Sequence, residues 1–179
     1  MIDWLVIVGE QPASPRPEGF RRPPTLVPWW SIYRTLDRWF RAAGFGDGDL
    51  RRINFRNVLP EHVGSPTAAQ LAEGRERLIE ELWGLRPEVV VTLGRVAARA
   101  MGVPQGHQLD RDCGRVYSFG YARVTPVDGE SPSVRGFTCQ VLPLPHPSGQ
   151  NRLLNGPGGQ LALGRGIVKL QEMREEHGG

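Results

Sequence analysis

The chain of 179 residues contains only two cysteines, Cys113 and Cys139. Two thiolates are too few for an all-cysteine zinc site or an iron–sulfur cluster, which need four ligands. The pair can form a disulfide, but reduced thiols are the simpler interpretation and favour a cytoplasmic protein. We therefore expect no metal and no cofactor.

The chain also lacks any apolar run close to the roughly 20 residues that a membrane-spanning helix needs. Met1–Val8 has no basic stretch before its apolar residues, so it is not expected to be a signal peptide. A chain of this length is long enough for one hydrophobic core and short for two. We expect a single domain over residues 1–179. We also expect the protein to be a monomer and to have no membrane partner.

Lysine is almost absent, since Lys169 is the single lysine among 22 basic residues and the others are arginines. Arginine makes bidentate contacts with phosphate groups, so the composition permits a nucleic-acid partner. It does not demand one, because the net charge is only +3 and such a bias can also reflect the base composition of a genome.

Short apolar runs alternate with amphipathic stretches along the chain. Patterns rich in β-branched residues predict strands at Ile2–Val8, Arg52–Phe55 (ending at Asn57), Glu88–Leu93 and Gln140–Leu144, with two further short strands between Val116 and Thr138. Helical periodicity predicts helices from Ser31 to about Ala43, over Thr67–Leu85, over Arg95–Met101, and from about Leu161 to Glu176. The alternation indicates the α/β class, as one three-layer α/β/α domain with a central, mostly parallel sheet.

Three of the predicted strands are followed by polar, turn-forming residues: Gly9–Pro12, Asn57 and His146–Ser148. Ligands of parallel sheets bind at the carboxyl ends of the strands, so we expect these three loops to converge. The loop from Glu10 to Pro28 is too long for a simple connection, which indicates a functional loop.

Segments in this order resemble the uracil-DNA glycosylase superfamily. Val8–Pro12 resembles its first motif, a strand followed by Gly-x-x-Pro, and Leu144–Arg152 resembles its closing motif, His-Pro-Ser-x-x-Asn. Between them, Ile53–Val58, Pro66-Thr67 and Arg86–Ala98 are similar to the branch that carries an iron–sulfur cluster. The resemblance implies a uracil-DNA glycosylase-like fold and an enzyme that acts on DNA, flips a base out and hydrolyses its N-glycosidic bond.

The same resemblance implies roles for two polar residues. His146 would donate a hydrogen bond to the O2 oxygen of the leaving base, where negative charge grows. Asn57 would read the base edge, because its amide offers both donors and an acceptor and matches uracil or, turned over, cytosine. The structural alternatives are a packed histidine and a turn-forming asparagine at the end of a strand.

Further positions follow from the closing motif, where residues would grip phosphates or enter the duplex as the base leaves: Ser148, Gly149, Asn151, Arg152 and Leu153. Trp29 and Trp30 follow the first motif, where the family keeps an aromatic residue that stacks on the base. Paired tryptophans are also typical of a core, and the sequence leaves both interpretations open.

The chain departs from the best-known branch at two positions of the first motif. Gln11 replaces an aspartate that orients the attacking water. Glutamine can position water but cannot act as a base, so Gln11 would share the catalytic role with Glu10 or with another carboxylate such as Glu18. Ala13 replaces a tyrosine that crowds the 5-position of the base, which predicts a roomier pocket. The cysteines of the iron–sulfur branch are also missing.

The favoured hypothesis is a monofunctional DNA glycosylase that excises a non-standard pyrimidine, a 5-substituted cytosine or uracil of the kind found in phage DNA. Two alternatives in the same superfamily are an ordinary uracil-DNA glycosylase of base-excision repair and a non-catalytic nucleic-acid-binding homologue. A base-modifying enzyme that acts on free nucleotides is a further alternative, which leaves the many arginines unexplained.

Overall fold

The computed structural model describes residues 1–12, 25, 32–108, 111–125, 133–147 and 156–178, without the side chains of 123–125 and 133–135. Its strands are β1 (Ile2–Gly9), β2 (Ile53–Asn57), β3 (Val89–Leu93), β4 (Tyr117–Thr125) and β5 (Ser133–Leu144). Its helices are α1 (Tyr33–Ala42), α2 (Ala68–Leu85), α3 (Arg95–Ala100) and α4 (Pro157–His177), and a 3₁₀ turn (Asp49–Arg52) precedes β2.

The strands form one sheet in the order β2-β1-β3-β5-β4. The first four of these are parallel to their neighbours, and β4 runs antiparallel to β5 at the edge. All five residues of β3 are buried, as expected for a β-branched strand covered on both faces. The predicted α/β class with a mostly parallel sheet is confirmed.

Alternate residues of the central strands face two separate cores. Leu5, Ile7 and Val91 belong to the core that also contains residues of α1 and α4. Val6 and Val90 belong to the core that contains residues of α2 and α3. The side-chain period of two in a strand supplies both layers, which is the predicted α/β/α arrangement.

The two cysteines lie in these opposite cores, Cys113 in the first and Cys139 in the second, and both are free thiols. Burial raises the pKa of Cys113 to about 11 and that of Cys139 to about 12. The two thiols lie on opposite faces of the sheet, so they do not pair with each other in this fold. No helix in the described ranges is long and apolar enough to cross a membrane.

Helix α2 begins with a capping box and approaches the end of β2 closely. The Thr67 hydroxyl accepts from the Gln70 amide at 3.2 Å, and the Gln70 side chain accepts from the Thr67 amide at 2.9 Å. One turn further, a Cβ on Gly74 would lie 2.5 Å from the Val58 carbonyl oxygen. Glycine at this position lets α2 contact the backbone directly after β2, which matters for the site.

The region after α3 differs from the prediction. The two short strands expected between Val116 and Thr138 and the separate last strand are one hairpin, paired from Tyr117↔Val141 to Thr125↔Ser133. Only the second part of β5 also pairs with β3. The first part has a single neighbouring strand and therefore lacks the continuous apolar run of a central strand.

Three predicted element ends were also wrong. Helix α1 begins at Tyr33, and its N-cap residue is Ile32, whose side chain makes no capping hydrogen bond. Ser31, the predicted cap, lies outside the described residues. Arg52 belongs to the 3₁₀ turn and not to β2. Helix α4 begins at Pro157, four residues before the predicted start, because proline is well suited to the first helical turn.

Candidate active site at the carboxyl edge of the sheet

The carboxyl ends of the four parallel strands lie at one edge of the sheet. Gly9 pairs with Asn57 at the ends of β1 and β2, and Leu93 pairs with Leu144 at the ends of β3 and β5. Asn57 and the residues after β5 are therefore separated by three strand spacings, about 14 Å at about 4.8 Å each. Glu10, Asn57 and His146 therefore all lie at this edge of the sheet.

Asn57 is a deeply buried polar residue at this edge, with 3% of its surface exposed. Its side-chain oxygen Oδ1 is buried and has no hydrogen-bond partner among the described residues. A buried polar atom left unpaired costs about 1–3 kcal/mol, so a donor from a ligand would recover this energy. A Cβ on Gly9 would lie 2.7 Å from Oδ1, so glycine is the residue that leaves space for this amide.

The backbone at Asn57 is held from α2 by Arg77. Its Nη2 donates to the carbonyl oxygens of Asn57 and Val58, at 3.0 Å each. Glu81 forms ion pairs with Arg77 and with Arg56, the latter at 2.9 Å. The sequence analysis missed this network, although charged residues one turn apart on a helix that packs on the sheet are a usable signal.

His146 lies half-buried, two residues after β5. Gly94 contacts it from the end of β3: a Cβ there would lie 3.4 Å from the His146 Cβ, and Gly94 has φ +85°. The Gly94 amide also donates to the Leu144 carbonyl at 2.9 Å, which fixes the two strand ends together. Burial lowers the pKa of His146, so its imidazole is neutral at pH 7 and can act as a hydrogen-bond donor.

Two side-chain contacts help to fasten the loop after β2 to the loop after β1. The Val63 amide donates to Gln11 Oε1 at 2.8 Å, and His62 Nδ1 donates to the Pro12 carbonyl at 3.0 Å. The side-chain oxygen Oε1 of Gln11 is thus already engaged in a structural bond. The half-buried carboxylate of Glu10 makes no hydrogen bond or ion pair with any described residue.

Sequence reasoning did not single out His62, although it lies in one of the three loops expected to converge. With Nδ1 bound as donor to a carbonyl, the neutral ring carries its lone pair on Nε2. In that form, His62 offers an additional acceptor near the first motif.

Eight predicted site residues lie outside the described part of the chain: Ala13, Trp29, Trp30, Ser148, Gly149, Asn151, Arg152 and Leu153. Glu18 lies outside it as well. Within the described part, no three His, Cys, Asp or Glu side chains are grouped as metal ligands.

The fold is an α/β domain in which the amide of Asn57 and the imidazole of His146 follow two of the parallel strands at one edge of the sheet. A model of the uracil DNA glycosylase superfamily matches residues 4–160. The chain therefore belongs to the uracil DNA glycosylase superfamily. Members of this superfamily are in general DNA glycosylases. No curated protein matches the sequence.

Proposed function

We propose that this protein is a monofunctional DNA glycosylase that flips a 5-substituted cytosine or uracil out of DNA and leaves an abasic site. The observation that carries the proposal is the buried, unpaired Oδ1 of Asn57 at the same sheet edge as His146. N3–H of uracil and the N4 amino group of cytosine are both suitable donors to this oxygen.

The proposed reaction breaks the bond between C1′ of the sugar and N1 of the base. The bonding electrons leave with the base, and negative charge grows on its O2 oxygen, to which the neutral His146 imidazole donates a hydrogen bond. A water forms the new bond to C1′ and loses its proton to the Glu10 carboxylate. Glu10 has this role because its carboxylate is unpaired, whereas the Gln11 oxygen is bound to Val63.

The preference for a 5-substituted base rests on the sequence. Ala13 stands where the best-known branch has a tyrosine against the 5-position, and alanine has no aromatic ring to crowd a substituent. Arginines at positions 16, 21 and 22 of the same loop can donate to hydroxyls of an attached sugar. Phage DNA is a source of such bases, so defence against foreign DNA is the proposed role.

Base release from defined DNAs tests the proposal. Duplexes with one uracil, one 5-hydroxymethylcytosine or one glucosylated 5-hydroxymethylcytosine are incubated with the protein, and free base is measured by mass spectrometry. We expect release of the substituted bases, abolished by His146→Ala and retained by His177→Ala, whose histidine lies on α4. Release of uracil alone would replace this substrate with ordinary uracil repair.

A non-catalytic DNA-binding homologue is the second candidate, favoured by the engagement of the Gln11 oxygen with the Val63 amide. In that case the protein would bind all three duplexes and release no base from any of them. Alkali treatment would then reveal no strand breaks at the test position.

A further inference from the structure

A cavity of about 190 Å³ lies beside α3, separate from the Asn57 and His146 region. Its walls come from α3 and from residues 103–108. The volume is far above the roughly 10–15 Å³ that one water needs, so a polyatomic group fits.

The cavity is next to the candidate catalytic edge of the sheet. Arg95, in its wall, directly follows Gly94, which contacts the candidate catalytic histidine. His107, also in its wall, lies with Nδ1 2.8 Å from the hydroxyl of Tyr117. Tyr117 begins β4 and pairs with Val141, which in turn pairs with Val90 of β3. The α3 wall therefore begins at the carboxyl edge of the sheet, where the proposed function places DNA, and the His107 wall is anchored on the β4–β5 hairpin.

The charge of the cavity is positive. Arg95 and Arg99 are one helical turn apart, with Cβ atoms about 5–6 Å from each other, and both are exposed. Neither guanidinium has a hydrogen bond or ion pair with a described residue, and no lining residue carries a carboxylate. The Asp112 carboxylate near this segment is already paired: hydrogen bonds from the Arg111 side chain and the Gln108 amide lower its pKa to about 2.

His107 adds an unpaired polar atom to these arginines. Its Nε2 is buried and has no hydrogen-bond partner among the described residues. The Tyr117 hydroxyl can donate to Nδ1, and Nε2 then carries the proton and needs an acceptor. Burial lowers the pKa of His107, with Arg115 and Arg111 acting in the same direction and Asp112 against it, so the free ring is neutral at pH 7.

We propose that this cavity binds a phosphate group, held by Arg95, Arg99 and His107, and that it receives a DNA backbone phosphate outside the flipped nucleotide. Two guanidinium forks and an imidazole N–H match the oxygen atoms of one phosphate group. The assignment of the phosphate to DNA rests on the proposed function, whereas the anion site itself does not.

The anion site is tested with inorganic phosphate alone. The four histidines are followed by ¹⁵N-edited NMR of their imidazole rings during a titration with phosphate at constant ionic strength. We expect the His107 signals to shift, the pKa of His107 to rise because the anion favours the imidazolium, and both effects to vanish in Arg95→Ala/Arg99→Ala. A His107 signal that phosphate leaves unchanged, or changes equally in the double variant, would overturn the site.

The DNA assignment is tested by binding to a duplex of ordinary bases, without any measurement of base release. We expect Arg95→Ala/Arg99→Ala to reduce the slope of log K against log salt by about 0.9, the value for one phosphate contact. Arg51→Ala/Arg52→Ala removes the same charge before β2, at the opposite edge, and should leave the slope unchanged. If the two double variants have equal slopes, the DNA assignment is overturned. If phosphate nevertheless shifts the His107 signals of the wild type, the cavity is a site for free phosphate monoesters. Failure of base excision alone affects neither result.

Discussion

At the scale of single residues, the orientation of Asn57 depends on the absence of a side chain at Gly9. In Gly9→Ala the new methyl would meet Oδ1 at 2.7 Å, and the amide is the flexible partner that moves. We expect the rate of base excision to fall on the order of a hundredfold, as small displacements in active sites do, with little change in Tm. Gly84→Ala is the control, because nothing lies within 4 Å of its Cβ, and it should retain full activity.

Glu10 and Gln11 are neighbours with different expected contributions. Glu10→Gln removes the unpaired carboxylate and should lower kcat by about 10²–10⁴, the usual contribution of a general base. Gln11→Ala removes the bond to the Val63 amide and should affect activity less, mainly through loop position. Single-turnover kinetics of the two variants on the best substrate measures both effects. A larger loss in Gln11→Ala would assign the water to the glutamine.

His146 gives the protein a pH-dependent stability. Its pKa is lowered in the folded state by burial, so at acid pH the unfolded chain binds the extra proton more readily. The stability that comes from burying the neutral His146 ring is fully present above the ordinary histidine pKa of about 6.5. It is lost as the pH falls toward the pKa that His146 has in the folded protein. Urea unfolding between pH 7 and pH 5 should show a smaller decrease in stability for His146→Gln than for the wild type.

At the scale of elements, α2 positions the end of β2 through Arg77. Arg77→Ala would release the carbonyls of Asn57 and Val58. We expect a clear increase in KM for the target base and only a small decrease in Tm. The effect should be non-additive with Asn57→Ala, because the arginine acts through the asparagine. Arg75→Ala is the control, since Arg75 donates to the Ala100 carbonyl instead. Additive losses in the double variant would show that Arg77 serves only folding.

At the scale of the whole molecule, the scarcity of lysine limits the chemistry. Strand-cutting glycosylases usually form a Schiff base with an amine, and Lys169 lies in α4, where it pairs with Glu172 at 2.8 Å. Borohydride treatment during the reaction should therefore trap no covalent protein–DNA adduct. A trapped adduct that persists in Lys169→Arg would point to the N-terminal amine and would contradict a monofunctional enzyme.

The sequence by itself determined the fold class and the chain positions of the key polar residues. The continuous apolar run of β3 indicates a strand covered on both faces, because this signal depends only on neighbours in the chain. The sequence also located Asn57 and His146, since each stands at or just after the end of a strand that its own residue pattern predicts. The β4–β5 hairpin was misjudged because cross-strand pairing, and not a local run, defines it.

Only the tertiary structure decided how these residues are held. Asn57 and Gly9 are far apart in sequence, and their contact requires the parallel register of β1 and β2. The bonds of Arg77 to the backbone after β2 require the close approach of α2 at Gly74, and the bond of Gln11 to Val63 requires two loops to meet. These contacts depend on strand order and on helix packing across the sheet, which single-chain periodicity does not specify.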